Sequence, residues 1–410
     1  MRRPSVRQLA PLGHAGFRLL FLSTLGSSIG TLVAAVALAI DLKDRTNSGL
    51  WVGAVLLVGF LPTVLVGLLF GPVLDRFERR KLMVAADLVR AAVFVALPFV
   101  GTAGAIVALA AVAGLATGFF RPAVYAGLPN LVPEEQLAPA NALLQTVENA
   151  SWAIGPIVGG AITAAAGPHA AYWVNAASFL VSAAFVVRIP ARLLQSATSL
   201  TRGHWSDLKE GYAAVLQHRP LLAVLLAWGI ACLGTGAIDV SEVFLAKNTL
   251  HAGDVGYGLL YGGIGAGLVI GSFFSSSLVE RFGIARAYAL SLALMAIGFG
   301  VGAASVDIWM AAACCVVGGT GNGAAVVCNA LLVQRGAPDE VRGRAFTFVM
   351  SATFGLLGVS TVLAGALMPA DGARWVWFAG GLTLAVASVV GYALARVPSE
   401  AVVPAEASAN

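Results

Sequence analysis

Three carboxylates, Glu148, Asp239 and Glu242, fall inside long apolar runs of this 410-residue chain. An acidic side chain at the centre of a membrane helix costs about 2.5–3.5 kcal/mol on insertion scales. Such residues therefore turn from lipid toward a polar interior. A shielded carboxylate there can carry a proton or recognise a cation. Glu148 is the first choice for that role, because Gln145 and Trp152 flank it on the same face. It lies about seven residues into its run, roughly 10 Å below the inner end of a helix. Asp239 and Glu242 sit nearer the outer end of theirs, where an external vestibule would wet them.

Polar residues at helical spacing mark further candidate faces. The first run offers Thr24, Ser27, Ser28 and Thr31, and the seventh offers Trp228, Cys232 and Thr235 in line with Asp239 and Glu242. The tenth offers Asn322 and Asn329. Serine and threonine stripes also serve ordinary helix packing, so the carboxylates are more telling. The fifth run sets Gly155, Gly159 and Gly160 around Pro156. Small residues let helices approach closely and proline bends them. Plain packing accounts for that cluster as readily as a tight hinge does. Asp87 and Arg90, one turn apart, read as a self-neutralising structural pair.

These runs require a solvent other than water. Hydrophobic residues make up 59% of the chain and charged residues 11%, with mean hydropathy +0.86. A soluble domain carries about a quarter charged residues. In hydrocarbon only helices and closed barrels satisfy the backbone. The runs stay apolar for about 20 residues, the length at which a helix crosses a bilayer. The predicted fold class is all-α, a polytopic membrane protein. Its spans are expected at roughly 17–40, 50–71, 82–100, 104–125, 141–165, 170–189, 220–246, 256–279, 286–304, 307–329, 344–368 and 374–396.

The polar breaks repeat at a spacing of 205 residues, half the chain. Leu74-Asp75-Arg76-Phe77 returns as Val279-Glu280-Arg281-Phe282, and Pro133-Glu134-Glu135 as Pro338-Asp339-Glu340. A duplicated half is how many two-bundle membrane proteins are built, with a path between the bundles. The expected division is an N-terminal six-helix bundle at 1–189, a cytoplasmic linker at 190–219, a C-terminal six-helix bundle at 220–397 and a tail at 398–410. Lysine and arginine set the orientation. With the chain starting inside, 21 of the 25 fall in inner segments, leaving Lys43, Arg45, Lys247 and Arg374 outside. Both termini are thus expected in the cytoplasm.

The first run lacks a small-residue cleavage site and is expected to remain as a span. Cys232, Cys314, Cys315 and Cys328 lie inside spans in no metal-ligand spacing, so free thiols are expected. The net charge of +5 follows the membrane and is no nucleic-acid footprint. A P-loop, a zinc pattern and a nucleophile elbow are all absent from the sequence. The five histidines, at 14, 169, 204, 218 and 251, fall at loops or helix edges and receive no role.

Residues 71–80, with Gly71, Asp75, Arg76, Arg79 and Arg80 in place, resemble the loop between spans two and three of the major facilitator superfamily. Glu78 stands where that family usually has glycine. The second-half copy, Glu280-Arg281-Phe282-Gly283, has the glycine and lacks the basic pair. Gly155-Pro156-Ile157-Val158-Gly159-Gly160 is similar to the fifth-span motif of the family's drug/proton antiporters. The stretches from Leu131 to Ala142 and from Arg342 to Phe346 resemble its macrolide-efflux and enterobactin-exporter branch. The resemblance covers nearly the whole chain.

What the resemblance implies is two pseudo-symmetric six-helix bundles that rock about a central cavity lined by spans 1, 4, 7 and 10. It implies efflux of an amphiphilic small molecule, such as a drug or siderophore, driven by the proton gradient with no cofactor. It also implies a conformational latch. Asp75 ends span two, where the helix dipole disfavours a carboxylate. Arg79 is one turn on, Arg344 opens span eleven, and Arg121 completes the relay. The plainer reading of the same residues is a positive-inside loop with one local ion pair. Carboxylates along the path favour cationic or neutral substrates. An importer or a lysophospholipid flippase would keep the fold and change the task. An intramembrane enzyme or a receptor is disfavoured, for want of a convergent catalytic set or a large soluble domain. The expected partners are a small-molecule substrate, protons and membrane lipid, with the protein a monomer in the cytoplasmic membrane.

Overall fold

The computed structural model describes residues 9–69, 77–194, 215–336, 339–369 and 371–395. Gly71, Asp75 and Arg76 lie outside the described residues, as do most of the linker and the tail. Long helices account for nearly all of the rest, and no strand occurs among the described residues. In chain order they are α1 Ala15–Thr46, α2 Gly49–Leu69, α3 Arg79–Ala96, α4 Ala103–Gly127, α5 Leu137–Ala166 and α6 Pro168–Val187. The second set is α7 Arg219–Thr249, α8 Gly253–Phe282, α9 Ile284–Gly302, α10 Ile308–Gly336, α11 Asp339–Leu367 and α12 Ala373–Ala395. Among the described residues ten helices are long and apolar enough to cross a membrane. The other two of the twelve are α2, which carries Pro62, and α5, whose first half carries Asn141, Gln145, Glu148 and Asn149. Large apolar side chains cover the outside: Phe273 is 76% exposed and Val389 70%, as a lipid solvent requires.

The packing is duplicated. Within the first half α1 meets α5 and α6, α3 meets α4 and α6, and α2 meets α4. Adding six to every number gives the main pairs of the second half: α7 with α11 and α12, α9 with α10 and α12, and α8 with α10. The two principal seams between halves, α5 with α8 and α2 with α11, exchange under the same shift. That pattern is a pseudo-two-fold axis between two six-helix bundles, the arrangement expected from the repeat.

Both seams are built on missing side chains. A Cβ on Gly160 would lie 2.6 Å from the Asp254 carbonyl, and one on Gly258 would lie 2.5 Å from that of Pro156. Further along, a Cβ on Gly265 would meet the Trp152 carbonyl at 2.2 Å. On the other seam Gly49 faces Gly365 and Gly53 faces Thr361, backbone against backbone. The seam then passes to side chains, Leu57 on Gly358 and the Phe60 ring 6.0 Å from that of Phe354. Among the described residues these close contacts run from one end of the helices to about their midpoint. Gly155 and Gly159 do something else: they face Leu32 and Val33 of α1 in their own half. The fifth-span cluster therefore serves two neighbours at once, with Pro156 and Gly160 turned to the opposite half.

Several helix ends differ from the expected ones. α1 continues through Asp41 to Thr46 and stops at Asn47, which adopts a left-handed φ of 45°. Asp41 is tolerated because Arg45 pairs with it at 2.6 Å and the Tyr172 hydroxyl donates to it at 2.9 Å. α11 begins at Asp339, five residues ahead of the expected 344. The cysteines are free, as expected, with Cys314 half-buried and the other three buried.

Asp87 and Arg90 form the expected pair, buried in the first bundle. The Ser182 hydroxyl donates to Asp87 at 2.7 Å and shares a 2.7 Å hydrogen bond with Ser23. The Arg90 guanidinium lies between the rings of Phe120 and Phe179, 4.4 and 4.2 Å from their centroids. Breaking such a pair strands a buried charge, at a cost of about 3–5 kcal/mol. Asp87→Ala should accordingly lower the thermal midpoint of the purified protein by many degrees; an unchanged midpoint would contradict the buried-pair account. Gly258→Leu should force α5 and α8 apart, with an overpacking cost of about 1–3 kcal/mol. Hydrogen exchange should rise over residues 153–160 and 254–262, and unchanged protection there would show that the seam is not backbone-limited.

Candidate functional site

Below the two seams, toward the other end of the helices, a cavity of about 400 Å3 opens between α1, α2, α4 and α5, with Arg90 and Phe94 of α3 and Phe179 of α6 at its back. The second half supplies only its cover, Tyr261 from α8 and Phe354 from α11. The α1 stripe lines it as expected, with Thr24, Ser27, Ser28 and Thr31 all on its wall. Their position follows from three-and-four spacing on a helix whose opposite face packs on α6. Three of the hydroxyls return to their own helix: Thr24 donates to Leu20 O at 3.0 Å, Ser27 to Ser23 O at 2.9 Å and Thr31 to Ser27 O at 2.7 Å. Their donors are thus satisfied, while the oxygen lone pairs remain a mildly polar surface.

Glu148 is in the cavity wall, as the first choice for an interior carboxylate requires. It is not isolated. Arg121 Nη2 donates to Glu148 Oε2 at 2.9 Å, and the Tyr125 hydroxyl donates to Oε1 at 3.1 Å. Arg121 and Tyr125 are one turn apart on α4, so one helix face presents both donors to α5. The Glu148 side chain is 19% exposed and that of Arg121 52%. One turn beyond Glu148, Trp152 places its ring 5.7 Å from Tyr261, which stacks on Tyr257 at 6.0 Å. Gln145 instead hydrogen-bonds Asn149 at 3.2 Å. A charged pair in a wall of Phe60, Phe94, Phe120, Trp152 and Tyr261 can hold an amphiphile: rings take the apolar body, and the carboxylate or guanidinium takes a polar head.

The other expected residues are placed differently. α7 and α10 contribute no residue to the wall of this cavity. α10 is locked to α8 by backbone contact, since a Cβ on Gly271 would fall 1.9 Å from the Thr320 carbonyl and one on Gly323 2.1 Å from that of Leu268. That packing leaves no space between them for a ligand. Asn329 is buried with its Oδ1 unpartnered, and Asn322 is half-buried. Trp228 packs on the second-half core inside a π-helical turn, Val224–Trp228. Asp239 is partly accessible. Glu242, expected to be wetted from outside, is fully buried in the second bundle.

Of the latch residues, Arg79 donates to the carbonyls of Ala126 and Leu194 at 3.0 and 2.9 Å, and Arg80 reaches Ile189 O at 3.4 Å. Glu78, which replaces the family's glycine, pairs with Lys81 at 2.9 Å and Arg80 at 3.4 Å. The hydrogen bond from Lys81 holds its carboxyl below the ordinary glutamate value. Arg344 lies in the first turns of α11. Arg121 is engaged with Glu148 in the cavity wall.

An ion cluster at the closed end was not anticipated. Lys247 of α7 bridges Asp44 of α1 at 2.7 Å and Asp254 of α8 at 2.5 Å, tying the halves together. Tyr125 and Tyr261 were also missed. The i+4 spacing from Arg121 marks Tyr125 in the sequence, whereas nothing local marks the Lys247 bridge.

A family model described as transmembrane secretion effector matches residues 6–409. Macrolide efflux protein A of Streptococcus pyogenes is 28% identical over 207 residues, 49% of this chain and 51% of that protein. The chain thus spans about half the length of that curated relative in the match. Multidrug efflux pump Tap of Mycobacterium bovis is 26% identical over 393 residues, 91% of each chain. In fold, a bacterial homologue of the iron transporter ferroportin in an inward-facing state superimposes with TM-score 0.76 at 17% identity, covering 93% of this chain and 99% of the other. The duplicated helix packing and a family match along nearly its whole length make this chain a member of the major facilitator superfamily, in its transmembrane secretion effector family.

Proposed function

We propose that the protein is a secondary active exporter that moves an amphiphilic, cationic or neutral small molecule out of the cytoplasm in exchange for protons. The observation that carries this reading is the cavity itself: a carboxylate–guanidinium pair set in an aromatic wall of the first bundle, covered by the second, beneath seams that close one end. The relatives named for macrolide and multidrug efflux support export over uptake. The closed end is the one that holds Lys43, Arg45, Lys247 and Arg374, the few cations assigned to the outside. Hence the protein is inward-facing, with both termini in the cytoplasm, and a substrate enters the cavity past Arg121. Rocking of one bundle against the other around the cavity would then open the seams and present the cavity to the outside. The family resemblance assigns a latch for that state to Gly71, Asp75 and Arg76, which lie outside the described residues, together with Arg344 at the start of α11.

The decisive test is export of a panel of macrolides, aromatic cations and siderophores from cells lacking their own pumps, with and without a protonophore. Export of at least one compound, abolished by collapsing the proton gradient, is the expected result. Export insensitive to the protonophore would sink the antiport mechanism, and no export at all would sink the exporter reading. Within that panel, Glu148→Gln removes a charge-assisted contact of about 1.5–3 kcal/mol, which corresponds to about a 10- to 100-fold weaker handling of cations. Neutral compounds should change much less. Equal loss for both classes would mean that Glu148 shapes the cavity without reading charge.

A further inference from the structure

Among the described residues, three acidic side chains are buried: Asp41, Asp87 and Glu242. Asp41 has Arg45 and Tyr172, and Asp87 has Arg90 and Ser182. Glu242 has nothing: both carboxyl oxygens lack a hydrogen-bond partner, and the residue has no accessible surface. An unpaired carboxylate in such a place is far too costly to persist. What the site tolerates is the neutral acid, which must take its proton when the site is open and keep it when closed.

Among the described residues no cation acts on Glu242 to stabilise the charged form. Asp239 lies one turn earlier on the same helix, Tyr257 and Tyr261 face Glu242 from α8, and Cys315 faces it from α10. α2 and α11, which also pack on α7, carry no ionisable side chain over residues 49–69 and 348–367. α1 sends Asp44 to Lys247, and Arg374 of α12 donates to the Ala303 carbonyl at 2.8 Å.

Two features tie this pocket to transport. Tyr261 lines the substrate cavity and is within electrostatic reach of Asp239 and Glu242, so one ring adjoins both the cavity and the acids. A π-helical turn, Leu245–Thr249, begins three residues after Glu242. Such turns recur at functional sites, and this one carries Lys247, the bridge between the halves. A change of charge at Glu242 therefore arises beside the contact that holds the outer end shut.

Resting on the exporter reading, we propose that Glu242 is the proton-carrying residue of the cycle and that Glu148 with Arg121 contacts the substrate. In the inward-facing state the proton sits on a carboxyl oxygen of Glu242. Its departure leaves a carboxylate that only an opened, hydrated pocket can hold. Proton and substrate then occupy separate sites, with the Tyr261 ring adjoining both.

The test combines two readouts on full-length protein. In lipid nanodiscs at neutral pH, the infrared carbonyl band of a protonated carboxylic acid should be present in the wild type, present in Asp239→Asn and absent in Glu242→Gln. In proteoliposomes with ethidium as probe, Glu242→Gln should keep gradient-free counterflow and lose accumulation driven by a pH gradient. A band that survives in Glu242→Gln, or one missing from the wild type, overturns the proposal. So does pH-driven accumulation by that variant. Should the glutamine variant not fold, Glu242→Asp replaces it, and an unshifted band there is the overturning result. If the wild type moves no compound, the exporter reading falls, while the infrared band still decides where the proton resides.

Discussion

Backbone-to-backbone contact across the two seams is the constraint on which the rest of the structure depends. In a bilayer no hydrophobic force drives helices together, because lipid tails are as apolar as leucine. Close approach must come from small residues, and the seams supply them at Gly160, Gly258 and Gly265 on one side and Gly49, Gly53 and Gly365 on the other. These contacts close one end of the molecule and stop at mid-membrane. The cavity exists because they stop. Had α5 and α8 continued as tightly below Trp152, the carboxylate of Glu148 would have no space to face.

Charge is placed by the same economy of space. Each ionisable group in the first bundle is matched where it is buried: Asp41 with Arg45, Asp87 with Arg90, Glu148 with Arg121. The matches differ in exposure, and exposure separates their roles. Asp87 and Arg90 are buried with Ser182 and two phenylalanine rings, and although Arg90 borders the cavity the pair is nearly without exposed surface, so it holds the bundle together. Arg121 is about half exposed and its pair lines the cavity, so a substrate can compete for either partner. Among the described residues the second bundle keeps a buried acid with no match at all, Glu242, which has no accessible surface.

Much of the fold was legible in the sequence because bilayer thickness converts directly into run length and because the polar breaks recur at 205 residues. The α1 stripe was legible too, since one helix face is a local property. Helix ends were less so. α1 runs past Asp41 because Arg45, one turn on, and Tyr172, more than a hundred residues away, both satisfy the carboxylate. Glu148 could be picked as an interior acid, but its partners could not, although Arg121 and Tyr125 share a face by their spacing. Asp239 and Glu242 looked alike in sequence. Only tertiary packing makes one partly accessible and the other sealed. The bridge from Lys247 to Asp44 joins residues 203 apart and has no local signature.

The pseudo-two-fold relates the seams without making them equal, and the inequality bears on how the molecule opens. The α5–α8 seam is glycine against carbonyl from Gly160 down to Gly265, and contacts of that kind cannot be thinned by a rotamer change. Two such helices either stay in contact or part as rigid bodies. The α2–α11 seam begins the same way at Gly49 and Gly365 but ends in Leu57, Phe60 and Phe354, whose side chains can turn. Phe60 and Phe354 are also the cavity's roof. Opening of the α2–α11 seam can therefore begin with side-chain motion at Phe60 and Phe354, whereas opening of α5–α8 must part backbones.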